Sequence, residues 1–173
     1  MNALLKPFLQ LCLLSGGPQD IPASRALLLI TVAAYWLVAV ALAWPFYGMG
    51  PSVLQSIAEL AILLAFTRVA LIAARHPERF TQTATALTAT GTLLGIVMLP
   101  VLYAFYQAEM QDAPRDVPAL ATLVLLGWLL LVYGHIFRHA LSLRHLGLGL
   151  LVALGLMIVG QALLRLLFPE APV

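Results

Sequence analysis

The sequence predicts an all-α polytopic membrane protein, five transmembrane helices behind a short N-terminal interfacial helix, on the strength of three observations. Hydrophobic residues make up 62% of the 173 positions and charged ones only 9%, against about 25% charged in soluble domains. The mean hydropathy is +1.01. The apolar residues collect in five stretches close to the roughly 20 residues that cross a hydrocarbon core about 30 Å thick. Such a composition excludes an ordinary soluble enzyme. A formal charge of +2 would hint at nucleic acid in a soluble protein, but basic loops follow from membrane topology alone, so no nucleic-acid partner is expected.

Residues 1–25 read as an interfacial helix and a polar linker. Leu4, Leu5, Phe8, Leu9, Leu11, Cys12 and Leu13 form a stretch too short to span and apolar enough to lie on a membrane surface. Ser15-Gly16-Gly17-Pro18 then ends the helix. Cys12 is the sole cysteine, which excludes an intramolecular disulfide. Leu11 before it and Lys6-Pro7 within the run argue against a lipoprotein signal.

The five-span membrane domain occupies residues 26–168, with spans at 26–44, 53–74, 83–106, 117–137 and 147–168, and 169–173 is a short external tail. Pro45, Pro51, Pro77, Pro114, Pro118 and Pro169 fall at or just beyond the span ends, where a missing N–H costs little. Orientation follows from basic residues in short loops. Lys6, Arg25, Arg75, Arg79, Arg138 and Arg144 lie on one side, against Arg115 and Arg165 on the other. The N-terminus is therefore expected in the cytoplasm and the C-terminus outside, with Trp44, Tyr47, Tyr103 and Tyr106 as an outer aromatic belt. Eight Arg against one Lys, with abundant Ala and Leu, suggest a GC-rich bacterial genome and hence an inner membrane.

Polar residues inside the spans are the candidate sites, because a mid-bilayer charge costs a few kcal/mol unless paired or solvated. Glu59, with Gln55 one turn away, and Arg165, with Gln161 one turn away, lie at similar expected depths in spans two and five. They are expected to meet as an intramembrane polar seam, serving either as glue between helices or as a proton or ion relay. Arg68 lies about half a turn round from Glu59 and is expected to snorkel to the cytoplasmic end. Arg75, Arg79, Arg138 and Arg144 form a cytoplasmic basic rim that could hold anionic headgroups or merely set topology.

Span three has a different texture. Thr81, Thr83, Thr85, Thr88, Thr90 and Thr92 precede Gly91 and Gly95, a GxxxG step, and then Pro100. Small residues let helix backbones approach closely, so this helix is expected at the centre, with Gly91 and Gly95 as packing positions and Pro100 as a kink. His135 and His139 share one helix face at i, i+4, but no carboxylate accompanies them within the next turn. No metal, cofactor or catalytic residue is expected, since no Ser or Cys stands near a recognisable base.

The short N-terminal segment, the five close spans, the basic turn from Gly134-His135 to Gly147 and the ending Leu163-Leu164-Arg165-Leu166-Leu167-Phe168 resemble the Yip family, over Phe8 to Phe168. Its eukaryotic members interact with Rab-type GTPases and carry an Asp-Leu-Tyr-Gly-Pro type motif before the first span. Here that region reads Gly17-Pro18-Gln19-Asp20-Ile21-Pro22, so the likeness is to the short prokaryotic members. The resemblance implies a non-enzymatic scaffold or accessory factor that organises lipids or partner proteins. The alternative is a small permease or transporter subunit with Glu59, Gln161 and Arg165 along a polar pathway. Membrane lipids and a membrane-protein partner are the expected contacts, and a homo-oligomer is left open.

Overall fold

The computed structural model describes residues 2–169, with side chains from Lys6 onward. The expected external tail, Glu170 included, lies outside the described residues beyond Pro169. Six α-helices come in order: α1 (Asn2–Cys12), α2 (Arg25–Tyr47), α3 (Met49–Ala73), α4 (Phe80–Met110), α5 (Asp116–Ala140) and α6 (Leu146–Leu167). There is no strand among the described residues. The last five helices are long and apolar enough to cross a membrane, and the chain is an all-α polytopic membrane protein.

The spanning helices outrun the apolar stretches read from sequence, because interfacial residues continue the hydrogen-bonded turns. Ser24 starts α2, its Oγ accepting from Leu27 N–H at 3.3 Å. Gly48, at φ 75°, ends α2 and starts α3. That backbone angle suits a residue without a Cβ, so one residue makes the whole turn. Pro51 and Pro118 fall in the first turns of α3 and α5, where no N–H partner is lost. Pro45 and Pro100 lie inside α2 and α4, and α4 continues as one helix through Pro100.

Neighbouring helices form a closed cycle, α2–α3–α6–α5–α4 and back to α2. We call the end holding Gly48 and the α4–α5 loop the Tyr47 end, and the other, holding the Arg75–Arg79 and Leu141–His145 turns, the basic end. Packing is unequal between the two. Toward the basic end, every residue from Thr83 to Gly91 in α4 and from Val132 to Phe137 in α5 is buried. Leu63, Leu71, Ala153 and Leu156 of α3 and α6 complete that core. Toward the Tyr47 end the helices are mostly half-buried or exposed. The central place expected for span three is what the burial shows.

Threonines serve α4 mainly through its own backbone. Thr83, Thr85, Thr90 and Thr92 donate to carbonyls one turn back at 2.7–2.9 Å. Thr88 alone among them also bonds across helices, to Thr31 Oγ1 at 2.9 Å. Hydroxyls satisfied in this way can be buried without an orphan donor.

The N-terminal helix is docked on the bundle, and the linker after it is held in place by hydrogen bonds. α1 packs on α4 and α5, with Leu11 fully buried and Phe8 and Cys12 nearly so. Three hydrogen bonds pin the chain between Cys12 and Ile21: Trp128 Nε1 donates to Cys12 O at 2.8 Å, His135 Nε2 lies 2.6 Å from Gly16 O, and Gln82 Nε2 donates to Ile21 O at 2.8 Å. Trp128 stands about 18 Å along α5 from Ala140, at 1.5 Å per residue, so the Cys12 carbonyl is held near the middle of that helix. The physical reason is double. The Phe8–Leu11 face finds an apolar partner in the core, and carbonyls at and beyond the helix end find donors projecting from α5 and α4.

Burial pushes the Cys12 thiol above its ordinary pKa. Because the thiolate is the reacting species, Cys12 is expected to label with a maleimide at least about tenfold more slowly than free cysteine at pH 7.5, and to lose that protection on unfolding. Stopped labelling with mass readout checks it; equal rates would mean that the segment is undocked.

Candidate functional site: a half-depth vestibule

Loose packing at the Tyr47 end leaves a cavity of about 450 Å³ between α2, α3, α4 and α5, within the ~300–1,000 Å³ typical of small-molecule sites. It reaches from Phe46 and Tyr47 at that end down to Tyr35, Glu59 and Tyr133. Its walls are apolar, led by Leu42, Leu94, Met98, Leu125 and Leu129. The floor is polar. Glu59 lies about 15 Å along α3 from Met49, deeper than the span limits read from sequence imply, and so near the half-way point of the helix.

The pairing at the floor corrects the expected seam. Glu59 Oε1 accepts from Tyr35 Oη at 3.0 Å, and no other hydrogen bond reaches this carboxylate among the described residues. α3 and α6 are neighbours, as that seam required, with Ile62 and Phe66 each 3.9 Å from where a Cβ would stand on Gly160 and Gly155. Their polar stripes do not meet. Gly149, Ala153, Leu156 and Leu164 form the buried stripe of α6. Gln161 and Arg165 come one residue after Gly160 and Leu164, which rotates them about 100° away, and they line a separate shallow concavity with Met157 and Ile158. Gln55 takes no part in the Glu59 bond.

Gly91 and Gly95 make the vestibule floor possible. A Cβ on Gly91 would stand 2.6 Å from Tyr133 Oη and 2.7 Å from Tyr35 Cε2, and one on Gly95 would stand 2.6 Å from Val38 Cγ1. The GxxxG step therefore packs α4 on α2 within one chain and seats two tyrosines against the same backbone. Tyr133 Oη donates to Leu87 O at 3.3 Å. Pro100 lines a smaller cleft of about 300 Å³ with Ala41, Pro45 and Tyr103. Neither tyrosine of the floor stands out by composition. The usable signal was position: Tyr35 and Tyr133 fall far from the belt, where a hydroxyl must find an internal partner.

The basic rim divides into different roles. Arg79 Nη1 donates to His139 O, Ala140 O and Ser142 Oγ at 3.3, 3.0 and 2.8 Å, and its Nε lies 3.9 Å from Glu78. It closes the C-terminal end of α5 and is not a free headgroup ligand. Arg75 and Arg144 are exposed and Arg138 is half-buried. Arg68 reaches Pro77 O at 3.2 Å and stacks over Phe80, the snorkelling its position suggested. His135 and His139 meet edge to face at 4.6 Å, but His135 is occupied with Gly16. No family model, curated protein or solved structure matches the chain.

Proposed function

We propose that the protein is a non-enzymatic inner-membrane protein of the small permease or transporter-subunit kind, which receives a small molecule in the vestibule from the outer side. One observation carries the reading: a single carboxylate–tyrosine pair forms the floor of an otherwise apolar cavity half-way through the bundle, while the basic-end half is closed by packed residues. Transporter sites lie near the bilayer midplane and are reached from one side at a time. The basic end is cytoplasmic in this proposal, from the six-to-two distribution of loop Lys and Arg. Of the pathway residues expected from sequence, only Glu59 belongs to it.

The scaffold reading rests on a different feature. Gln161 and Arg165 face outward from the bundle, where a neighbouring membrane protein or anionic lipid would satisfy them. The vestibule is the stronger ground, because its polar floor is already assembled within the chain.

Single cysteines test the vestibule in a Cys12→Ser background. Leu42→Cys, Met98→Cys and Leu126→Cys should react with a small charged methanethiosulfonate added outside intact cells, at least about tenfold faster than Leu87→Cys in the buried half. Reaction only from the cytoplasmic side, or rates equal to Leu87→Cys, would overturn the proposal.

A further inference from the structure

We infer that the vestibule takes a lipophilic monocation, an amine or quaternary ammonium carrying an apolar body, an inference that rests on the outward-facing reading above. The floor offers an acceptor and nothing else. Glu59, which lines the cavity, accepts from Tyr35 through Oε1, and its second carboxylate oxygen has no hydrogen-bond partner among the described residues. Every hydroxyl near it is already committed as a donor: Tyr35 to Glu59, Tyr133 to Leu87 O and Thr122 to Pro118 O at 2.8 Å. A ligand must therefore bring its own donor or positive charge.

The charge on the walls points the same way. No Lys, Arg or His lines the cavity among the described residues, and Glu59 is its sole carboxylate. An anion would meet a like charge and no compensating cation among apolar walls. A sugar or other polyhydroxyl solute would find no amide and, beyond Tyr47 at the mouth, no uncommitted hydroxyl to replace its water, and burying unpaired polar groups is costly. A cation with a hydrocarbon body meets both conditions, with its charge beside Glu59, within reach of the Tyr35 and Tyr133 rings, and its body on Leu94, Met98 and Leu125.

Two probes of the same shape and opposite charge separate these cases. Tetraphenylphosphonium and tetraphenylborate are titrated into the full chain purified in a non-ionic detergent, with binding read by equilibrium dialysis. One phosphonium per chain is expected, with affinity falling at least about tenfold in Glu59→Gln, the loss that follows from removing a charged partner. Tetraphenylborate should bind at least about tenfold more weakly than phosphonium to the unaltered protein. Glu59→Gln keeps an acceptor for Tyr35 and removes only the charge. Equal binding of both ions, or phosphonium binding undiminished in Glu59→Gln, overturns the cation assignment while leaving the vestibule as a site. Binding of neither ion, with Leu126→Cys reactive from outside, also overturns it. An unreactive Leu126→Cys identifies the failure as that of the outward-facing reading.

Discussion

Gly149→Leu is expected to abolish the folded bundle, and Gly149→Ala to destabilise it by about 3 kcal/mol, the upper part of the usual range for overpacking. A Cβ on Gly149 would run into the carbonyl oxygen of Gly134 and stand 3.0 Å from Arg138 N. These are backbone atoms of α5 and cannot swing away as a side chain can. Gly134 has the reciprocal constraint, since its Cβ would lie 3.0 Å from Leu150 N and 3.1 Å from Leu150 Cα. The two glycines set the spacing at which α5 and α6 cross. Gly127→Ala and Gly147→Ala are the controls, because nothing lies within 4 Å of their added Cβ. Unfolding in mixed detergent, followed by Trp128 fluorescence, measures all four; an unchanged midpoint for Gly149→Leu would mean the helices are not in contact there.

That crossing shows what sequence could and could not supply. Gly91 and Gly95 are four apart on one helix, so their shared face is visible in the chain itself. Gly134 and Gly149 are on different helices, and their contact exists only after the Leu141–His145 turn brings α6 back against α5. Helix number and approximate limits were legible because hydropathy integrates over some 20 residues. The azimuth of each helix was not, because α2 to α6 are apolar on nearly every face and lack the polar stripe that fixes rotation in a soluble bundle. Depth matched Glu59 with Gln161 and Arg165 correctly enough to make α3 and α6 neighbours, and rotation gave the carboxylate to Tyr35 instead.

Arg79→Ala is expected to cost about 2 kcal/mol, while Arg144→Ala stays within about 0.5 kcal/mol. Both remove one positive charge from the same end, and the difference lies in the partners. Arg79 satisfies two carbonyls at the end of α5 and the Ser142 hydroxyl, which the helix cannot satisfy internally. Arg144 is exposed and makes no hydrogen bond among the described residues. The figure for Arg79 is set near the low end for charged hydrogen bonds because its side chain is 38% exposed. Unfolding midpoints in the same mixed-detergent assay decide it. Equal effects of the two substitutions would show that Arg79 acts only through its charge, as a loop arginine read from sequence would.

Docking of the N-terminal segment carries a consequence for biogenesis. Residues just before Gly17 emerge ahead of the bundle during synthesis, and their anchors, Trp128 and His135, emerge more than a hundred residues later. Leu11 and Phe8 must wait, exposed or loosely adsorbed, until α4 and α5 have been inserted and have come together. This stretch, translated ahead of its anchors, thus reaches its place only after them, and its arrival closes the basic-end core. A bulky fusion ahead of Met1 would burden this final step, whereas the same fusion after Val173 would leave it free.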